Sequence, residues 1–206
     1  MRRRALFVIT EHPAWLTQTR VDGYERIRRD LEEVAQGPVQ SVHYLDGRAL
    51  DADAVVLSGA KAPWAAQDRR GLERLGEAVL AYDRPVLGIC AGLQLLAMFA
   101  GGEVRPLADA GRVPERGYMP LEVLDEDGLL RGLGPVATVF QDHEDEILDL
   151  PIGFRLLART PGCAIQAVEA AERRWWGTQF HPERSDPAHP DGKRVLRNFF
   201  RLARRG

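Results

Sequence analysis

The chain has only two cysteines, Cys90 and Cys163, in 206 residues. That is too few for a disulfide framework and is consistent with a reducing compartment. It also lacks any stretch approaching the roughly 18 apolar residues of a membrane span. The run "ALFVIT" behind the amino-terminal arginines is too short for a secretory core and breaks at once into "EHP". A soluble, cytoplasmic protein is expected. An excess of one charge is missing as well. The 28 basic residues nearly balance the 30 acidic ones, for a formal net charge of -2, so no overall field gathers nucleic acid or an anionic membrane. The basic clusters "RRR" (2–4) and "RLARR" (201–205) read as solvated termini. Neither nucleic acid nor membrane is an expected partner, and small polar molecules fit better. Repeats, low-complexity tracts and dividing linkers are absent too. With 45% hydrophobic residues over this length the chain can bury a full core, and residues 1–206 are read as one domain.

What is present is a rhythm of strands and helices. "ALFVIT" (5–10) is β-rich and apolar on both faces, as a buried strand requires. Val21, Tyr24, Ile27, Leu31 and Val34 recur at steps of three and four, which predicts an amphipathic helix over 21–36 that stops at Gly37-Pro38. "VQSVHYL" (39–45) and "ADAVVLSG" (52–59) are the next strands. A helix over 66–82 has Leu72, Leu75, Val79 and Leu80 on its apolar side, and "PVLGI" (85–89) is the fourth strand. This alternation predicts an α/β fold, with a mostly parallel central sheet and helices on both faces. In such sheets ligands sit at the carboxyl ends of the strands. After about residue 103 the rhythm changes. "YMPLEVL", "VATVFQ", "FRLLART", "AIQAVEA" and "RWWGTQF" read as further strands, partly antiparallel, before a last helix over 191–204.

Cys90 follows directly on the fourth strand. Gly88-Ile89-Cys90-Ala91-Gly92, ahead of the helical run "LQLLAMFA", has the layout of a nucleophile elbow. In that layout a strained turn presents the nucleophile, and small neighbours let strand and helix approach closely. The turn also sets the sulfur at a helix amino terminus, whose partial positive charge favours an anion. The plain alternative is a small core residue, the usual fate of a free cysteine. A nucleophilic thiol needs a base, and "WGTQFHPE" offers His181 after an apolar strand with Glu183 two residues on. Cysteine, histidine and an orienting carboxylate fill the roles used in thiol acyl transfer. "HPE" with His189 imitates a metal site, but no second cluster has ligand spacing, so neither metal nor cofactor is expected.

"GICAGLQLLA" together with "WWGTQFHPE" resembles the class I glutamine amidotransferases, the triad-type glutaminase domains found in GMP synthetase, anthranilate synthase and carbamoyl-phosphate synthetase. The two motifs stand about ninety residues apart in the family's order. Weaker echoes lie in "VVLSGA", "DHEDEI" and "FRLLARTPGCAIQAVE", so the likeness spans roughly residues 52–183. It implies a flavodoxin-like fold and glutamine as substrate. Cys90 would form the thioester, His181 would protonate the departing ammonia and activate water, and Glu183 would orient His181. The amides of Gly59 and Ala91 would hold the oxyanion, and Gln94 with the backbone around Asp142 and His143 would grip the α-amino and carboxylate groups. The chain departs from the family in two places. Ser58-Gly59-Ala60-Lys61 replaces the common Ser-Gly-Gly-Pro, and Asp142 stands where several members have serine. Ala60 takes positive φ less readily than glycine, so the loop is expected to rest with one oxyanion donor turned away. The resemblance implies a stand-alone amidotransferase subunit that hands ammonia to a separately encoded synthetase, with the GMP-synthetase type a candidate. Trp64 on the rim would then touch the partner, or else pack on the following helix. A γ-glutamyl hydrolase or peptidase of the same superfamily, and a non-catalytic regulatory subunit, are the alternatives.

Overall fold

The computed structural model describes residues 3–204; Arg2 and Arg205, from the two terminal basic clusters, lie outside the described residues. The first apolar run forms β1 (Ala5–Ile9), and the amphipathic stretch after it forms α1 (Gln18–Ala35). The left-handed residue that ends α1 is Gln36 (φ 54°) and not a glycine. Gly37 is required for space instead, since a Cβ there would lie 2.6 Å from the Arg3 carbonyl oxygen. Next come β2 (Val39–His43), β3 (Ala54–Leu57), α2 (Arg69–Leu80), β4 (Val86–Ile89) and α3 (Ala91–Phe99). α2 begins later than its apolar spacing suggests because the Asp68 carboxylate caps it, accepting from the Gly71 N–H at 2.6 Å.

The second half supplies β5 (Val104–Pro106), β6 (Glu115–Val123), β7 (Val136–His143), β8 (Asp145–Ile147), β9 (Arg155–Arg159), β10 (Ala167–Ala170), β11 (Trp175–Thr178) and α4 (Asp191–Ala203). The segment expected to be strand from residue 164 pairs only from Ala167, where the register shifts. Nine strands form one sheet in the order β2-β1-β3-β4-β11-β10-β9-β6-β7. The first five are parallel, and the other four extend the sheet antiparallel. β5 and β8 make a separate two-stranded flap.

Both faces of the parallel half are apolar, as burial on two sides demands. Phe7, Val56 and Leu87 pack in one cluster with Leu31 of α1 and Phe199 of α4. Leu6, Val8, Val55 and Leu57 pack in another with Leu75 and Val79 of α2 and Leu95 and Leu96 of α3. Among the described residues no helix is long and apolar enough to cross a membrane. β1, β3, β4 and β11 are successive neighbours, so the segments leaving their carboxyl ends converge on one edge. Those segments carry Glu11, Gly59, Cys90 and His181.

Candidate active site

Cys90 joins β4 to α3 with φ 52° and ψ -109°, a conformation that L-residues seldom take. The surrounding sheet holds it there: its N–H donates to the Thr178 carbonyl of β11 at 2.7 Å. A Cβ at Gly88 would sit 2.4 Å from the Gly92 carbonyl oxygen, and one at Gly92 would sit 2.5 Å from that of Leu57. Strand and helix touch backbone to backbone, which is why the elbow needs both glycines.

His181 follows β11, the strand beside β4. Its N–H donates to the Phe140 carbonyl (2.8 Å), and its Nδ1 meets Glu183 Oε1 at 2.7 Å. The ring is buried, and its Nε2 has no protein partner among the described residues. Burial is the largest influence on this imidazole and disfavours its charged form. The Glu183 carboxylate and the Cys90 sulfur together outweigh it and hold His181 well above the usual histidine range. Gly59 closes the group. A Cβ there would lie 3.0 Å from His181 Cε1 and 3.5 Å from Cys90 Cβ, so any side chain at 59 would press on the ring. The structure thus brings Cys90, His181, Glu183 and Gly59 together.

The loop after β3 is pinned from three sides. Tyr24 Oη and Ser58 Oγ donate to the Gly59 carbonyl at 3.0 and 2.8 Å. Ser58 Oγ also accepts from the Thr10 N–H at 2.9 Å. Glu11, fully buried, accepts from the N–H groups of Lys61 (2.8 Å) and Ala62 (2.9 Å). Ala60 is not among the residues with positive φ, so the loop rests in a conformation alanine adopts without strain. The N–H groups of Gly59 and Ala91 have no acceptor among the described residues. Sequence reasoning missed Glu11 and Tyr24. The available signal was a charged residue set directly behind a strand that is buried on both faces.

Cys90, Ala91 and Gln94 line a cavity of about 560 Å³, within the range of small-ligand sites. Lys61, Trp64 and Asp142 also line it. Gln94 commits both of its amide hydrogens, to the Asp145 carbonyl (3.0 Å) and to Gln179 Oε1 (2.9 Å), so only its oxygen remains for a ligand. The His143 ring is buried and bonded at both nitrogens, to the Asp145 carbonyl and to Glu115, each at 3.0 Å. The backbone around His143 is what it can still offer a ligand. Asp142 pairs with Lys61 (2.7 Å) and Arg184 (3.3 Å). Burial, the largest influence, pushes its carboxyl up, but these cations and His181 bring it below the usual range. A second cavity of about 360 Å³ lies on the His181–Glu183 side and shares Ala60, Lys61 and Asp142 with the first. Trp64 is half-buried against the core beneath α2 and α3, as the packing alternative expects, and it also lines the Cys90 cavity. Cys163 is different in kind: burial pushes its thiol up to about 12, and its sulfur donates to the Ile165 carbonyl.

Residues 26–203 match the family model for glutamine amidotransferase class-I. The chain is 38% identical over 181 residues to the glutamine-hydrolysing GMP synthase subunit of Methanococcoides burtonii, covering 86% of this chain and 87% of that one. It is 34% identical over 157 residues to the protein of the same name from Pyrococcus abyssi, covering 76% and 79%. A crystal structure of a candidate GMP synthase subunit from Thermoplasma acidophilum superposes with a TM-score of 0.81 at 28% identity, covering 99% of this chain and 96% of that one. With the elbow, the histidine–carboxylate pair and the sheet topology agreeing, the chain belongs to the class-I glutamine amidotransferases.

Proposed function

We propose that this chain, acting as a single domain, is a glutaminase subunit that hydrolyses the side-chain amide of glutamine and passes the ammonia to a separate synthetase subunit of the GMP-forming type. The observation that carries the proposal is the buried His181 ring, held through Nδ1 by Glu183, with its Nε2 unpartnered among the described residues and the Cys90 sulfur close enough to favour its charged form. Cys90 Sγ attacks the amide carbon, and the N–H groups of Gly59 and Ala91 receive the oxyanion; each such donor typically contributes on the order of 3 kcal/mol. The tetrahedral adduct collapses by breaking the C–N bond as His181 gives the leaving nitrogen its proton. A water deprotonated by His181 then adds to the thioester, the C–S bond breaks, and glutamate and the thiolate are released. Glu183 holds the ring's tautomer throughout. In the cavity, the free Gln94 oxygen and Asp142 suit the α-ammonium group, and the backbone around Asp142 and His143 suits the α-carboxylate. The partner is inferred from the names of the relatives.

Incubation with 6-diazo-5-oxo-norleucine followed by peptide mass spectrometry tests the nucleophile. The adduct is expected on Cys90, and labelling of Cys163 instead would overturn the assignment.

A further inference from the structure

The glutaminase mechanism uses Cys90, His181 and Glu183 but leaves Gln179, two residues before the histidine, without a task. Gln179 is fully buried on the segment leaving β11, and its backbone N–H donates to the Gln166 carbonyl at 2.8 Å. A buried primary amide must place two donors and one oxygen, and here the neighbours decide which end points where. The Asp145 carbonyl can only accept, so the Gln94 atom 3.0 Å from it is nitrogen. The second hydrogen of that nitrogen points at the Gln179 side chain 2.9 Å away, so the Gln179 atom receiving it is oxygen. The Gln179 nitrogen is left facing Cys90 Sγ at 3.6 Å, within reach of a donor to the large sulfur atom.

We propose that Gln179 is a positioning residue for the thiol: its amide donates to Cys90 Sγ while the sulfur is anionic, and Gln94 sets the direction of that donation. The inference rests on the reading of Cys90 as nucleophile. The bond matters at both ends of the cycle. Before attack it stabilises the thiolate and holds the sulfur toward the cavity. It weakens in the thioester, where the sulfur is neutral. It is remade when water displaces the sulfur and the electron pair of the C–S bond returns to it. A donor facing an ion is roughly twice as strong as one facing a neutral acceptor, so Gln179 favours the steps in which sulfur carries charge. Gln94 also lines the cavity, which places two amides in series between the bound ligand and the nucleophile.

Site-resolved alkylation of Cys90 by iodoacetamide, from about pH 5 to about pH 10, reads the thiolate without any glutamine turnover. Gln179→Met keeps an unbranched side chain of similar length and removes the N–H. The midpoint of alkylation rate against pH is expected to rise by about one unit, with the rate near pH 7 falling roughly tenfold and recovering at high pH. Gln94→Met releases the orientation of Gln179 and is expected to act in the same direction, by roughly threefold near pH 7. It decides the matter alone if Gln179→Met does not fold. The other charged groups facing Cys90 or lining its cavity are His181 with Glu183 from the segment after β11, Lys61 from the loop after β3, Arg105 from β5, Asp142 from β7, Glu144 between β7 and β8, and Asp145 from β8. Neither substitution removes any of them. A buried amide that only fills space would lower stability and leave the midpoint in place. Midpoints within about 0.2 units of wild type in the folded variants therefore overturn the proposal, whatever happens to turnover. Retention of glutaminase activity by Cys90→Ala would overturn the functional reading instead, and would leave the alkylation comparison intact.

Discussion

His181 and Glu183 act as a pair, and their substitutions are expected to be unequal. His181→Ala removes the group that moves every proton in the cycle, so glutamine turnover should fall nearly to background. Glu183→Gln keeps a hydrogen-bonding oxygen near Nδ1 and should leave measurable activity through residual orientation. Equal steady-state rates for wild type and His181→Ala would end the triad reading. The pair also predicts a pH dependence of stability. The folded value for His181 is raised, so its contribution is fully present below the unfolded value of about 6.5 and is lost as pH climbs through the folded one. Urea unfolding should therefore find wild type ahead of Glu183→Gln by most near pH 6, with the gap shrinking toward alkaline pH. These residues are legible in the sequence because their spacing is local: glycines two positions either side of Cys90, and Glu183 two after His181. Glu11 and Gln179 are not, because what defines them is a partner far away in the chain, and neither has a local pattern of its own.

Among the elements, the loop after β3 departs most from its sequence reading. "VLSG" reads as strand to its end, but pairing stops at Leu57 and the last two residues open into a loop. Ala60 and Lys61 suggest a partly misaligned segment. What the sequence does not convey is that Glu11 grips the loop by two N–H groups and that Tyr24 holds it by a carbonyl. Glu11→Ala leaves both N–H groups without their acceptor, at about 1–3 kcal/mol each where they stay dry. The variant is expected to melt several degrees lower and to lose most of its glutaminase activity, while Glu11→Gln, which keeps one acceptor oxygen, falls between. Unchanged turnover in Glu11→Ala would mean that the loop needs no clamp. β5 and β8 escape notice for another reason. Each has three residues, one strand ends in proline and the other begins in two acids, and no periodicity exists over so short a span.

At the scale of the whole molecule, the βα alternation of the first hundred residues is readable, because each helix and strand carries its own apolar period. The place of β11 is not. It arrives from the far end of the chain to pair with β4, and the antiparallel strands before it are legible as strands but not as the sheet's outer half. That insertion sets His181 beside Cys90 and leaves the site on an open edge where the two cavities meet at Lys61 and Asp142. The Lys61–Asp142 ion pair (2.7 Å) ties the loop after β3 to the end of β7 across this edge. Lys61 is 46% exposed, so the tie contributes little stability, at most about 1 kcal/mol, and it can be exchanged for a partner's charges at small cost. A free glutaminase would waste nitrogen, and an edge bridged by a weak, exchangeable ion pair suits the synthetase partner proposed above. The isolated chain is therefore expected to hydrolyse glutamine slowly, at about 0.1 per second against the roughly 10 per second typical of enzymes. The rate should rise when the synthetase or lysate from its own source is added, and the rise should vanish with Cys90→Ala. Lys61→Ala, which releases the tie without touching Cys90 or His181, should raise the basal rate and shrink the response to partner. A purified chain that already turns over near 10 per second would rule out gating at this edge.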